Sequence, residues 1–166
     1  MSTQARREGG GKARKTALHR RVTEAVPIGI LGYLEARPVA WCSIAPRDSC
    51  RSLGGPEALP QEGVWSLVCF FIAREMRKQG ILPQLLHAAE AYGRRQGATV
   101  IEAYPVGRGS PSFRFMGFLG FFSEAGYRRV GRVGSRRHVV QKRLGPAKRR
   151  GPPSTNGRRR NERPER

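Results

Sequence analysis

Residues 64–97 read VWSLVCFFIAREMRKQGILPQLLHAAEAYGRRQG, and the rest of the chain arranges itself around them. Val64–Ile72 is a continuous apolar run bounded by charge, with the length and composition of a buried strand. The linker that follows carries Arg74, Arg77 and Lys78 and ends on Gly80. From there Ile81, Leu82, Leu85, Leu86, Ala89 and Tyr92 recur at helical spacing, while His87, Glu90, Arg94 and Arg95 fall largely elsewhere. Pro83 is tolerated only in a first turn, so the helix starts near Gly80–Leu82, and Gly97 stops it. The pattern predicts strand, basic turn, helix. Such a turn aims free backbone N–H groups and the positive end of a helix dipole at one point, beside cationic side chains, and so suits a phosphate. On spacing alone, an ordinary strand-to-helix connection reads the same way. With one Gly between strand and helix, neither the dinucleotide-binding fingerprint nor a P-loop is present.

At 166 residues the chain has the length of one domain, and 38% hydrophobic residues suffice for a core. No apolar run approaches the ~20 residues of a membrane-spanning helix, and the N-terminus MSTQARREGGGKARK has no apolar signal region. A cytoplasmic location with no membrane partner is the resulting expectation. Cys42, Cys50 and Cys69 are odd in number and form no C-x-x-C; Cys42 and Cys69 lie in predicted strands and read as buried thiols. His19, His87 and His138 have no ligand spacing, so no metal is expected. The net charge of +20 divides unevenly: +5 in residues 1–26, +9 in residues 27–144 and +6 in residues 145–166. Arg outnumbers Lys 27 to five, a bias that codon usage also produces. Nucleic-acid binding through the basic tails is the less favoured explanation of that charge.

Along the chain, residues 1–12 are polar and Gly-rich and read as disordered, and 13–25 form a short helix with Leu18, Val22 and Ala25 on one face. Ile28–Leu34 and Val39–Ala45 are strands joined closely enough for an antiparallel hairpin. Ser49–Gly63 reads as a loop, and Ala98–Val106 as a strand that a crossover helix makes parallel to Val64–Ile72. Phe113–Glu124 is expected to be helical, closing at Ala125-Gly126. Tyr127–Val133 and Arg137–Leu144 complete an antiparallel pair, and residues 145–166 form a Pro/Gly/Arg-rich tail. The order is that of an α/β domain, residues 13–144, with a mixed sheet and flanking helices.

Arg77-Lys78-Gln79-Gly80-Ile81-Leu82 resembles the R-x-x-G-x-[G/A] pyrophosphate-binding motif of the GNAT superfamily of acetyl-coenzyme A-dependent N-acetyltransferases, departing from it at Leu82. Ala40-Trp41-Cys42-Ser43 through Pro46-Arg47, the E-x-Y-P-V run Glu102–Val106, and Phe115-x-Gly117 through Gly126-Tyr127 resemble segments of a bacterial subgroup of that family. The element order resembles the GNAT order from its second helix onward, lacking the usual first strand. Only 27 residues precede Ile28, where the family needs roughly 50. A misassigned start, a truncated gene and a true absence all remain open; absence would leave a sheet edge free for aggregation or a homodimer.

The resemblance implies acetyl transfer from acetyl-CoA to a primary amine. It assigns the amides of Lys78, Gln79, Gly80, Ile81 and Leu82, with Arg77, to the pyrophosphate, and backbone groups of Phe70, Phe71 and Ile72 to the pantetheine arm and the thioester carbonyl. Glu102, the sole carboxylate in either central strand, is the candidate base, with substrate binding or an Arg pair as its alternative. Phe122 stands where many members carry an acidic Tyr, so solvent, Tyr104 or Tyr127 would protonate the leaving thiolate. The acceptor is a small-molecule or protein amine, and the positive body favours a neutral or anionic one. A basic nucleic-acid-binding protein and an inactive truncated fragment are the competing functions.

Overall fold

The computed structural model describes residues 10–50 and 63–145. Residues 1–9 of the expected disordered start, most of the Ser49–Gly63 loop and residues 146–166 of the basic tail lie outside the described residues; Gly11 and Lys12, expected to be disordered, are helical. Helix α1 spans Gly11–Thr23, and strands β1 (Ile30–Leu34) and β2 (Arg37–Pro46) form the hairpin. Strand β3 is Val64–Ile72, helix α2 is Ile81–Arg95, and strand β4 is Val100–Ala103. Helix α3 (Leu119–Glu124) and strands β5 (Arg128–Val133) and β6 (Arg137–Arg143) follow. The six strands form one sheet in the order β1-β2-β3-β4-β6-β5. Only β3 and β4 pair in parallel, as the helical crossover between them requires. Among the described residues no strand lies outside β1.

Helix α2 buries Leu85, Leu86 and Ala89 on one face of the sheet, against Ala40, Cys42, Ile44, Trp65, Leu67 and Ile101. Gly93 lets helix and sheet approach closely: a Cβ there would lie 3.1 Å from Ile101 Cδ1 and 3.3 Å from Ala98 Cβ. The helix ends as Gly97 signals. Gly97 takes φ 91°, and the N–H of Ala98 donates to Gly93 O at 2.8 Å, closing a Schellman turn. Helix α3 closes the same way at Gly126, through Tyr127 N–H to Phe122 O at 2.9 Å. Cys42 is buried, and burial pushes its thiol well above the ordinary range; Cys69 is only half-buried.

Two expectations need correction. Phe113–Glu124 is not one helix. A 3-10 turn, Arg114–Met116, is followed by Gly117 at φ 85°, and the extended Phe118 bridges to Val106 before α3 begins. The positive φ breaks the helix where the aromatic spacing suggests none. Helix α1 spans Gly11–Thr23 rather than 13–25, and Leu18 and Val22 on its apolar face are 51% and 57% exposed. Replacing Val22 by Glu is therefore expected to change unfolding free energy by less than about 0.5 kcal/mol in urea denaturation. A loss of about 2 kcal/mol or more would mean that α1 is packed in solution. No helix among the described residues is long and apolar enough to cross a membrane.

Candidate active site

The turn between β3 and α2 is shaped by two left-handed residues, Lys78 at φ 64° and Gly80 at φ 72°. Two side chains brace it: Arg77 Nε donates to Ile72 O at 3.1 Å, and Gln79 Nε2 donates to Glu75 O at 2.9 Å. The backbone N–H groups of Lys78, Gln79, Gly80, Ile81 and Leu82 have no acceptor among the described residues, and α2 has no side-chain cap. Ile81 turns into the core, whereas Leu82 is half-buried and leaves its N–H available. Arg74, Arg77 and Lys78 are all exposed around these donors. Glu75, an acid in the same turn, is bonded to Arg37; its own backbone N–H, and then Arg37, hold its carboxyl below the ordinary range. The result is a row of five unsatisfied donors at a helix N-terminus within net positive charge.

The turn sits at the end of a strand that is paired on one side only. β3 pairs with β4 over Val64–Leu67 alone, because β4 ends at Ala103. From Val68 to Ile72 that edge has no strand partner among the described residues. A bulge opens the unpaired stretch: Ser43 faces Cys69 and Ile44 faces Leu67, so Val68 is the extra residue. Ala73 N–H donates to Val39 O, so ladder alternation turns the backbone of Phe71 toward β2 and that of Phe70 and Ile72 toward the open side. The bond from Arg77 to Ile72 O lies on that open side. The Phe70 ring packs on Phe121 and Phe122, while the Phe71 side chain is 56% exposed on the opposite face.

Glu102 and Tyr104 are brought together at the point where β3 and β4 part. Tyr104 Oη donates to Glu102 Oε1 at 2.5 Å and lies 3.0 Å from Ser66 Oγ. Gln141 Nε2 donates to Glu102 Oε2 at 2.7 Å, and Arg47 Nε stands 3.6 Å from Oε1. Three of them are set by register, since Ser66, Glu102 and Gln141 are neighbours across β3, β4 and β6. The carboxylate is fully buried with both oxygens occupied. Burial, and then the bond to Glu102, pushes the Tyr104 phenol well above its ordinary value. The Tyr104 side chain packs with Met116, Val139 and Val68 beside the bulge. Tyr127 is on the other face, edge-on to Phe122 with ring centroids 5.0 Å apart, and is not part of this group. Arg47 and Gln141 carry no local signal in the sequence: only the assembled sheet shows that they serve Glu102. Among the described residues no three His, Cys, Asp or Glu side chains gather as metal ligands would.

Residues 5–121, more than half of the chain, match the Acetyltransferase (GNAT) family. No curated protein matches the sequence. Several solved structures share the fold. PaiA N-acetyltransferase from Thermoplasma acidophilum, in complex with coenzyme A, superposes with a TM-score of 0.55 at 13% identity, covering 80% of this chain and 70% of that one. Ribosomal-protein-alanine N-acetyltransferase from Brucella melitensis gives 0.55 at 19% identity over 80% and 78% of the two chains. An N-acetyltransferase from Staphylococcus aureus Mu50 gives 0.56 at 10% identity over 82% and 79%. At these identities the likeness is one of fold, and the family match over most of the domain supplies the rest. With its mixed sheet, half-paired central strand and donor-lined turn, the chain belongs to the acetyltransferase (GNAT) family, acyltransferases whose acetyl donor is acetyl-CoA.

Proposed function

We propose that this protein transfers an acetyl group from acetyl-CoA to a primary amine. One observation carries the reading: five unsatisfied backbone donors stand at the end of a strand whose edge is unpaired from Val68 to Ile72. The first feature suits a diphosphate, and the second suits an extended, amide-bearing arm laid down like an added strand. Acetyl-CoA has both parts and, when bound, supplies an acetyl group activated as a thioester. The amides of Lys78, Gln79, Gly80, Ile81 and Leu82 would hold the diphosphate, with Arg77 and Lys78 adding charge. The backbone of Phe70 and Ile72 would hold the arm; that of Phe71, expected to share in this, is turned to β2 instead. The resemblance of the W-C-S and E-x-Y-P-V segments supports a place in a bacterial subgroup of the family.

An ammonium must lose a proton before it can attack. Glu102 is the sole carboxylate on β3 or β4, and its Oε1 accepts from the Tyr104 hydroxyl. Because burial keeps the phenol protonated, Tyr104 serves as a conduit: a proton arriving at Oη releases the hydroxyl's own proton to Glu102 Oε1. Calorimetric titration and a thiol-release assay with a panel of primary amines test the whole reading. Acetyl-CoA should bind at micromolar concentration, and at least one amine should be turned over; absence of acetyl-CoA binding rejects it. For the proton path, Glu102→Gln is expected to lower kcat by about a hundredfold while acetyl-CoA affinity stays within about twofold. Unchanged kcat in a variant that stays folded takes Glu102 out of that role.

A further inference from the structure

The loop from Gly107 to Gly117 and the β5–β6 hairpin meet beside the unpaired half of β3. Val106 bridges to both Phe118 and Arg137, and His138 N–H donates to Pro105 O at 2.8 Å. Met116, Tyr104 and Val139 form a small core on which both Val68, at the bulge, and Val133, at the end of β5, pack. The segment that builds this junction is strongly cationic. From Tyr104 to Gly145 the chain carries nine Lys and Arg residues and one acid, Glu124. Among the described residues only Lys142 of the nine has a carboxylate partner, Glu90.

Four of these arginines are held by neutral groups: Arg132 Nη2 donates to Ser135 O at 2.7 Å, Arg114 lies over the Phe118 ring, and the other two line one recess. Arg136 Nη1 donates to Ser112 Oγ at 3.0 Å, and Arg137 stacks its guanidinium over the Phe113 ring, with Cζ 5.2 Å from the centroid. Phe113 adopts φ 61°, a conformation that a bulky residue takes only when its surroundings impose it. Phe113, Arg136 and Arg137, with Val133, Gly134 and Ser135, line a recess of about 200 Å³. A guanidinium fixed by a hydroxyl or a ring keeps its full charge and a fork of donors that fits a planar or tetrahedral anion.

We propose that this recess binds the carboxylate or phosphate of the amine acceptor, with Arg136 and Arg137 as its ligands. The proposal rests on the acetyl-transfer reading above. The unpaired edge of β3 runs from the donor-lined turn back to Val68, about 13 Å for four residues. It ends against the same small core that carries the recess. An acceptor that brings its amine to that end has its far side within the field of the arginines. Such a molecule is a carboxylated or phosphorylated amine rather than a polyamine.

The test compares amines that differ only in the anion: 4-aminobutyrate against 4-aminobutanamide, phenylalanine against phenylalaninamide, and phosphoethanolamine against ethanolamine. Thiol release from acetyl-CoA is followed for the full chain, for R136Q/R137Q, for R136K/R137K and for the charge-matched control R128Q/R143Q; acetyl-CoA affinity is measured on each by calorimetry. At least one anionic amine should exceed its neutral twin about 30-fold in kcat/KM, chiefly through KM. The carboxylate and phosphate pairs show which anion is preferred. R136Q/R137Q should bring that ratio to about one with acetyl-CoA affinity intact, R136K/R137K should keep part of the preference, and the control should keep all of it. Equal use of the neutral twin, a preference that survives R136Q/R137Q, or no turnover of any anionic amine while acetyl-CoA binds would overturn the assignment. Failure of acetyl-CoA to bind the wild type is a different result: it removes the acetyl-transfer reading itself, and this one with it.

Discussion

Gly80→Glu is expected to weaken acetyl-CoA binding at least a hundredfold while the protein stays folded. Gly80 is exposed, and a Cβ built on it meets nothing within 4 Å, so a side chain has room. Its φ of 72° imposes a strain of about 1–2 kcal/mol on any other residue, which the domain tolerates. What the substitution changes is charge: a carboxylate enters a row of donors that would face a diphosphate, and a hundredfold loss corresponds to about 2.8 kcal/mol. Gly80→Ala carries the same strain without the charge and should lose less than about tenfold. Calorimetry on both variants separates the two effects. Equal losses would point to strain, and no loss in Gly80→Glu would mean that the ligand lies elsewhere.

Removing either partner of the Arg47–Glu102 pair is expected to be the most destabilising single change outside the apolar core. The Glu102 side chain is fully buried and that of Arg47 is 16% exposed, with Nε and Oε1 3.6 Å apart. Glu102→Leu strands a buried guanidinium and deprives Tyr104 and Gln141 of their acceptor; Arg47→Met strands the carboxylate. Each should cost about 3–5 kcal/mol, a fall of roughly 10 °C in melting temperature. The double variant should recover much of that loss, because neither charge remains to be left unpaired. Thermal denaturation of the four proteins tests this. A cost under about 1 kcal/mol for Arg47→Met would show that solvent reaches the pair.

Some of this was legible in the sequence because it is local. Val64–Ile72 is a strand with the bounds its apolar run marks, and the helix after Gly80 follows from the spacing of Leu85, Leu86 and Ala89. The turn could be read because its chemistry lies in consecutive backbone groups. The break at Gly117 could not, since the Phe residues around it have a spacing that suits a helix, and the competing pairing is with Val106. Nor could the setting of Glu102 be read. Arg47 precedes β3, and Gln141 arrives 39 residues after Glu102, so they converge only when the sheet closes. Arg136 and Arg137 are hidden for another reason: in a chain with 27 arginines, nothing in the sequence separates the two held by Ser112 and Phe113 from the rest.

The most direct measurement is an amide-resolved NMR titration of the full chain with coenzyme A, and in parallel with pantetheine, which lacks the diphosphate. Coenzyme A should move the amide resonances of Lys78, Gln79, Gly80, Ile81 and Leu82 together with those of Phe70 and Ile72, and pantetheine should move only the strand. Saturable binding of coenzyme A that leaves the five turn amides unmoved would contradict the diphosphate cradle and the donor site built on it.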